Sequence, residues 1–148
     1  MKKEQHSISI IVDPLGGSIT LTTEISTSNP LALIADDMRE VDIVIAQRLT
    51  TSVPLIAQIS QYIIAAGGKR LRPALLLLIS GALGYQGKNK YTLAAVVELI
   101  HTATLLHDDV VDESTLRRGR ATANETFGNP ASVLVGDFLH TRSFQMMV

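Results

Sequence analysis

The stretch HTATLLHDDVVDESTLRRGR, at residues 101–120, holds three aspartates, two histidines and three arginines beside a run of apolar residues. Charged side chains are costly inside a packed helix unless a partner neutralises them. The three aspartates fall within five residues, and a pair of adjacent arginines follows shortly afterwards. The fold must therefore place these charges where ions or ligands of opposite charge can reach them.

The first half of this stretch belongs to a long predicted helix, at about residues 92–112. An ideal helix turns ~100° per residue, so His101 and Asp112 lie within ~40° of Asp108, while Asp109 lies ~100° away from it. Nearly all the other positions are Leu, Ile, Val or Ala. We expect such a helix to be central and enclosed by other helices, with its polar stripe along a cavity.

Composition narrows the class of protein. The 148 residues suffice for one domain, and a content of 46% hydrophobic but only 4% aromatic residues favours an all-α fold. The net charge of -1 gives no overall field to attract nucleic acid, and the absence of cysteine excludes disulfides and thiolate metal sites. No segment is typical of a signal peptide or a membrane span, so we expect a cytoplasmic protein without an integral membrane segment.

The chain divides into two parts near residue 29. The segments SISIIV and SITLTTEI alternate apolar and polar residues around DPLGG, which weakly predicts a strand–turn–strand. An isolated hairpin is marginal in water, so we expect residues 1–29 to be a poorly ordered extension. Residues 30–148 have helical periodicity. Helices are predicted at about 30–49, 53–66, 73–84, 92–112 and 132–147.

The polar stripe has the chemistry of a magnesium and phosphate site. Asp108 and Asp112 lie one helical turn apart and can address the same ion, and oxygen ligands without cysteine favour Mg²⁺ over zinc. Two basic clusters, Lys69, Arg70 and Arg72 and then Arg117 and Arg118, can bind phosphate oxygens. A solvated acidic helix end followed by a basic loop is the simpler alternative for each motif taken singly. Their combination on a largely apolar helix favours the binding site.

Three segments resemble the trans-isoprenyl (polyprenyl) diphosphate synthases in their order and spacing: GGKRLRP at 67–73, IHTATLLHDDVVDESTLRRGR at 100–120 and GNPASVLVGDFLHTRSF at 128–144. The middle segment contains DDxxD, then four intervening residues and RRG, which is that family's first aspartate-rich motif. The resemblance covers about residues 29–148 and is strongest to bacterial long-chain synthases of the octaprenyl type, which make quinone side chains. It implies an all-α helical bundle of the isoprenoid-synthase type.

The resemblance also implies a prenyl-transfer reaction. An allylic diphosphate, held by Mg²⁺, ionises and is attacked by the double bond of isopentenyl diphosphate, and loss of a proton leaves a longer all-trans chain. By this resemblance, Asp108 and Asp112 bind metal and Asp109 supports them. Arg117 contacts the allylic diphosphate, and isopentenyl diphosphate is held by Lys69, Arg72, His101 and Arg118. Product length is set in part by Ala103 and Thr104. The full-length form is implied to be a homodimer.

One departure from the family pattern is large. The family's bundle is about twice this length and has a second aspartate-rich motif, whereas Asp137 is a lone acid in the later part of this chain. We therefore interpret residues 30–148 as the N-terminal half of a synthase domain and expect residues 1–148 alone to be inactive. Two alternatives stay open: a non-catalytic or partner subunit of a two-part synthase, and an RNA- or phosphoprotein-binding module. The second leaves the three aspartates unexplained, so we expect no nucleic-acid partner.

Overall fold

The computed structural model describes Ser9–Val12, Ile19–Thr22 and residues 29–148, and the chain divides into two compact units, with the boundary after Pro30. In the first unit, strands β1 (Ser9–Val12) and β2 (Ile19–Thr22) pair antiparallel, with Ser9 opposite Thr22. These strands agree with the strand–turn–strand alternative. Most of residues 1–29 lies outside the described residues, so the expectation that this extension is poorly ordered stays a prediction.

The second unit is helical. After a short 3-10 turn at Pro30–Ile34, the described residues form six α-helices and a small hairpin. The helices are α1 (Ala35–Arg48), α2 (Pro54–Ala65), α3 (Leu71–Ala82), α4 (Asn89–Val111), α5 (Ala123–Phe127) and α6 (Asn129–Met147), and the hairpin strands are β3 (Leu116–Arg117) and β4 (Arg120–Ala121). The predicted all-α class is confirmed, whereas the hairpin and α5 were not predicted. Among the residues described, no helix combines the length and apolar character needed to cross a membrane.

Helix boundaries follow local sequence chemistry. Helix α2 begins with Pro54 at its first position, where a proline is tolerated because the backbone N–H would be unpaired anyway. It ends just before Gly67, which has a positive φ of 61°. Helix α3 begins at Leu71, two residues before the predicted start, because Pro73 is accommodated in its first turn.

Helix α4 is the hub of the helical unit, and it packs against α1, α3 and α6. Its buried face includes Ala95, Leu99, Ala103 and Leu106. Helix α6 is fastened to this helix by the buried Ser132 hydroxyl, which donates to the Leu106 carbonyl oxygen at 3.2 Å.

One face of α4 is open in the described residues, which differs from the enclosed helix that the sequence predicts. Leu93 and Val111 are 45% and 80% exposed, and Thr104 between them is also exposed. The reason is that α1, α3 and α6 cover the opposite face. Leu93 and Thr104 precede Asp108 along the helix, and Val111 follows it.

The packing of α6 gives a stability prediction. Leu139 is 1% exposed, so Leu139→Ala should lower the free energy of unfolding by about 2–5 kcal/mol, through lost burial and the cavity left behind. Leu134 lies on the same helix but is 51% exposed, so Leu134→Ala is the matched control and should change stability much less. Urea unfolding followed by circular dichroism measures both. Equal losses would contradict this assignment of the buried face.

Candidate active site

The hairpin β3–β4 presents the arginines of the RRGR segment. Its two-residue turn consists of Arg118 and Gly119, with φ values of 54° and 77°. Positive φ at both turn positions is typical of a type I′ turn, whose twist matches that of the flanking strands. Glycine adopts this conformation freely, whereas an arginine does so at some cost. Arg118 is therefore held in an unfavourable backbone conformation at the tip of the hairpin.

The hairpin is docked on the C-terminal end of α2. The Arg120 Nη1 donates to the Ala65 carbonyl oxygen at 3.0 Å. The Arg118 Nη1 donates to the Gly67 carbonyl oxygen, just beyond the helix. The last carbonyls of a helix lack helical partners and have partial negative charge, so guanidinium groups stabilise them. Tyr62 adds a hydroxyl that donates to the Ala121 carbonyl oxygen at 2.7 Å. These bonds bring the hairpin beside the glycine-rich segment that follows α2.

Gly68 lets the two basic segments approach each other closely. A Cβ atom at this position would lie 2.6 Å from the Arg118 Nη1, which is far inside normal contact distance. Lys69 follows immediately, and both Lys69 and Arg72 are exposed. The segment 67–73 and the hairpin therefore form one basic surface, although they are about 50 residues apart in sequence.

Arg70 faces a different direction from its basic neighbours. It has a left-handed backbone, with φ of 49°, and caps the start of α3. Its guanidinium forms ion pairs with Asp42 on α1 at 3.3 Å and with Glu98 on α4 at 3.9 Å. Arg70 thus ties the basic segment to the helical core, and Lys69 and Arg72 remain exposed.

His101, on α4, lines the same cavity as Arg117 and Arg118. Its pKa is lowered from the ordinary value, first by burial and then by the positive charge of Arg72, with smaller effects of Arg118 and Arg117; Glu98 opposes the shift. The charges of Arg72 and Arg118 thus disfavour the protonated form of His101, and Lys69 lies on the same segment as Arg72.

The three aspartates have two different environments. Asp108 and Asp112, at the end of α4, are exposed, and no hydrogen bond or ion pair from the described residues engages either side chain. Asp109 is buried, with only 5% of its side chain exposed, and it is paired with Arg117. The Arg117 Nε donates to Asp109 Oδ1 at 3.0 Å, and its Nη2 donates to the same oxygen at 2.6 Å.

These residues fit a magnesium ion that is shared with a ligand. Magnesium is commonly bound through one or two carboxylates, with water and substrate phosphate completing its shell. Asp108 and Asp112 supply two unpaired carboxylates one helical turn apart. The described residues contain no group of three histidine, cysteine, aspartate or glutamate side chains that could hold a metal. A Mg²⁺ ion bound by Asp108 and Asp112 would complete its shell with water and with oxygens of the ligand.

A cavity of about 110 Å³ lies beneath the hairpin. Apolar side chains such as Ile63, Leu99 and Leu105 line it together with His101, Arg117 and Arg118. Two buried polar atoms that lack a protein partner, Ser60 Oγ and Arg70 Nη1, belong to lining residues. The cavity therefore combines an apolar wall with unpaired donors, which suits a small amphiphilic ligand or ordered water.

The two residues expected to set product length lie on different faces of α4. Ala103 is 2% exposed and belongs to the buried face, whereas Thr104 is exposed. The Thr104 hydroxyl donates to the Ile100 carbonyl oxygen at 3.0 Å. Since this bond turns the hydroxyl back onto the helix, the methyl group contributes to the outer surface.

Sequence reasoning did not assign roles to Tyr62 or Asp42. Tyr62 fixes the hairpin through its hydroxyl, and its ring lies 5.2 Å from the Arg120 guanidinium. Asp42 holds Arg70. No local pattern links these residues to the RRGR or GGKRLRP segments, because each contact joins positions that are distant in sequence.

Comparison with known proteins identifies the family of the chain. The family model described as polyprenyl synthetase matches residues 53–148. The octaprenyl diphosphate synthase of Escherichia coli (strain K12) is 58% identical over 115 residues, covering 78% of this chain and 36% of that protein.

Solved structures of similar proteins have the same fold. A decaprenyl diphosphate synthase from Rhodobacter capsulatus superposes with a TM-score of 0.77 at 52% identity, covering 80% of this chain and 37% of that one. A polyprenyl synthase from Caulobacter crescentus, complexed with calcium and isoprenyl diphosphate, gives a TM-score of 0.77 at 47% identity, with 80% and 36% covered.

The chain belongs to the polyprenyl synthetase family. This confirms the resemblance seen in the sequence, and the expected isoprenoid-synthase-type bundle is confirmed by the structural similarity. The chain spans about a third of the length of the relatives named above.

The environment of His101 gives a prediction for pH dependence. Because its pKa is lowered in the folded state, the unfolded chain takes up this proton more readily. Stability should therefore hold above the ordinary histidine pKa, ~6.5, and fall as pH decreases toward the folded-state pKa. Urea midpoints between pH 7.5 and 5.5 measure this, with His101→Gln as the control that should weaken the pH dependence. An unchanged pH dependence in the variant would assign the effect to other groups.

Proposed function

We propose that this chain forms the diphosphate-binding end of an enzyme that condenses isopentenyl diphosphate with an allylic diphosphate. The product would be a long-chain all-trans polyprenyl diphosphate of the octaprenyl type, a precursor of quinone side chains. The observation that supports this most directly is the juxtaposition of two unpaired carboxylates, at the end of α4, with the basic surface of the hairpin and of segment 67–73. The 58% identity to an octaprenyl diphosphate synthase supports the product class.

Asp108 and Asp112 are the proposed magnesium ligands. Their exposure and one-turn spacing leave both carboxylates available to an ion that also contacts a diphosphate. When bound, Mg²⁺ neutralises negative charge on the diphosphate and favours its departure. The calcium and isoprenyl diphosphate in the Caulobacter structure support a divalent ion and a diphosphate ligand in this family.

The cations of the chain have complementary proposed roles. Arg117 would contact the allylic diphosphate, while Lys69, Arg72, His101 and Arg118 would hold isopentenyl diphosphate. Fixed positive charges that are already in place when negative charge develops on a leaving group lower the barrier. Burial and the charges of nearby arginines lower the pKa of His101 and so favour its neutral form, in which one ring nitrogen can donate a hydrogen bond while the other accepts. The apolar wall of the cavity would exclude water from the reacting carbons.

The open face of α4 is the proposed path of the growing tail. Thr104, Val97 and Leu93 lie at helical spacing below Asp108, so they share one face. Thr104 and Leu93 are exposed and Val97 is half-buried. This face is apolar and begins at the proposed diphosphate site. Ala103 would act indirectly, since it belongs to the buried face.

A partner subunit of a two-part synthase is the second candidate. In that case Asp108 and Asp112 would offer two carboxylates, and a bound Mg²⁺ would complete its shell with water, substrate phosphate or a residue of the partner chain. Under either candidate, residues 1–148 alone should show no prenyl transfer. A homodimeric full-length form and a cytoplasmic location stay predictions.

A chimera tests the proposed function. Residues 30–148 of this chain would replace the matching part of the Escherichia coli octaprenyl diphosphate synthase, and incorporation of labelled isopentenyl diphosphate would be measured. The parent chimera should elongate an allylic diphosphate, and Asp108→Asn should reduce the rate by at least about tenfold at limiting Mg²⁺, because a ligand charge is lost. Asp36→Asn, an exposed acid on α1, is the matched control. An inactive parent chimera that is folded would overturn the proposal.

Product length tests the tail path. Thr104→Phe should shorten the product of the chimera, because an aromatic ring would project from the open face four residues below Asp108. Glu40→Phe, an exposed position on α1, controls for the addition of an aromatic ring. Chromatography of the dephosphorylated products gives the chain length. The same product from Thr104→Phe and from the parent would count against this path.

A further inference from the structure

We propose that Tyr62 is a positioning residue for isopentenyl diphosphate: it fixes the hairpin β3–β4 against the end of α2, so that Arg118 and Lys69 are spaced to contact one diphosphate. This inference rests on the proposed function and deepens it, because it adds a residue that would not itself contact the substrate. Tyr62 would act through the backbone of β4 and, from there, through the guanidinium of Arg118.

The hairpin is too small to hold its own position. Each of its strands has two residues, and an isolated two-stranded hairpin is marginal in water. The N–H of Thr122 donates to the Thr115 carbonyl oxygen at 3.0 Å, so Ala121 lies at a non-hydrogen-bonded position of the antiparallel pair. Backbone groups at such a position point away from the opposite strand. The Ala121 carbonyl oxygen therefore accepts a bond from outside the hairpin, and the Tyr62 hydroxyl donates to it at 2.7 Å.

The Tyr62 ring is restrained by two neighbouring side chains. It packs edge-to-face against Phe127 of α5, with ring centroids 5.3 Å apart and ring planes at 83°. The Arg120 guanidinium lies 5.2 Å from the centre of the same ring. Both kinds of contact stabilise an aromatic ring, and a tyrosine loses less conformational freedom than a long charged side chain when it is fixed. The hydroxyl therefore gives β4 a rigid point of attachment.

The backbone links Tyr62 firmly to the start of the glycine-rich segment. The Tyr62 carbonyl oxygen accepts a hydrogen bond from the Ala66 N–H at 3.1 Å. The Gly67 N–H donates to the Ile64 carbonyl oxygen at 3.0 Å, so Gly67 continues the backbone of the helix that carries Tyr62. The Arg118 Nη1 donates to the Gly67 carbonyl oxygen. Tyr62 thus fixes the hairpin and the glycine-rich segment to the same helix end.

Arg118 keeps donors available for a ligand. Its side chain is exposed, and its guanidinium makes no hydrogen bond within the described part of the chain besides the one to Gly67. A Cβ atom at Gly68 would lie 2.6 Å from the Arg118 Nη1, so the guanidinium lies against the backbone that precedes Lys69. Two cations on fixed backbones can bind the oxygens of one diphosphate. A shift of the hairpin relative to α2 would move Arg118 away from Lys69 and weaken that binding.

Arg117, on the opposite strand of the hairpin, has a separate anchor. Its guanidinium is paired with Asp109 of α4 at 2.6 Å. Loss of the Tyr62 bond should therefore disturb Arg118 and isopentenyl diphosphate more than Arg117 and the allylic diphosphate. This difference separates a positioning role from a general loss of stability, which would affect both substrates.

Steady-state kinetics of the chimera test this difference. Tyr62→Phe removes only a hydroxyl and should raise the KM for isopentenyl diphosphate by about three- to tenfold, as expected for one hydrogen bond. The kcat and the KM for the allylic diphosphate should change by less than about twofold. Tyr91→Phe is the matched control, since it removes a hydroxyl that donates to Asp37 at 2.8 Å, at the opposite end of α4 from Asp108. It should lower stability and leave both KM values unchanged. Equal changes in the two KM values of Tyr62→Phe, or no change in either, would overturn the proposal.

Binding of isopentenyl diphosphate without metal, measured by calorimetry, does not depend on prenyl transfer. Tyr62→Phe should weaken this binding by about three- to tenfold in the parent chimera but add no further loss to Arg118→Gln, because it acts through that arginine. Additive losses would contradict the proposal. A parent chimera that binds no isopentenyl diphosphate would overturn the proposed function as well. A parent that binds it no more tightly than Tyr62→Phe does would overturn this inference alone.

A second variant changes the spacing without touching Tyr62. Gly68→Ala should weaken calorimetric binding of isopentenyl diphosphate, because the added Cβ would displace the Arg118 guanidinium. Gly81→Ala, on α3, is the matched control, since a Cβ there meets no atom within 4 Å, and it should bind like the parent. Binding by Gly68→Ala that equals that of the parent would show that the position of Arg118 is not critical, and the proposal would then fail.

Discussion

A negative charge that is buried at the end of a packed helix must be neutralised, and this requirement organises one end of the helical unit. Asp109 lies on the inner side of α4, so it needs a cation that reaches under the helix end. Arg117 can do so only because the chain reverses direction after Asp112 and returns as β3. The hairpin, its docking on α2 and the closeness of the two basic segments all accompany that one ion pair.

The same helix end separates charges by sign and by exposure. Asp108 and Asp112 face outward and stay unpaired among the described residues, while the inward aspartate is neutralised within the protein. Arg72 and Arg118 lie on the neighbouring basic surface, and their charges add to the effect of burial in lowering the pKa of His101. Such an arrangement is unfavourable on its own, because like charges are held close together. It becomes favourable when a polyanion binds the cations and a divalent ion binds the carboxylates.

Much of this fold could be predicted from the sequence, because helical periodicity, glycines and prolines are local signals. The long helices and the stop before Gly67 follow from them. The hairpin was missed because strands of two residues have no periodicity, although a glycine after Arg118 was a usable sign of a tight turn. The ideal helical wheel placed Asp109 apart from Asp108 but could not identify Arg117 as its partner, since that depends on how the chain returns. The wheel also could not show that Ala103 is buried and Thr104 exposed, since that depends on which faces of α4 the other helices cover.

The buried face and the open face of α4 therefore depend on each other. The buried face, with Ala103 and Leu106, packs against the other helices of the unit, and the open face extends from Asp108 past Thr104. Because a helix is rigid over this distance, packing on the buried face also fixes the angle at which Asp108 and the apolar surface below it are presented. The Ser132 bond to the Leu106 carbonyl oxygen, although distant from any proposed ligand, thus constrains both the carboxylates and the proposed tail path. Substitutions in this core should be expected to alter the site through the orientation of α4 as well as through stability.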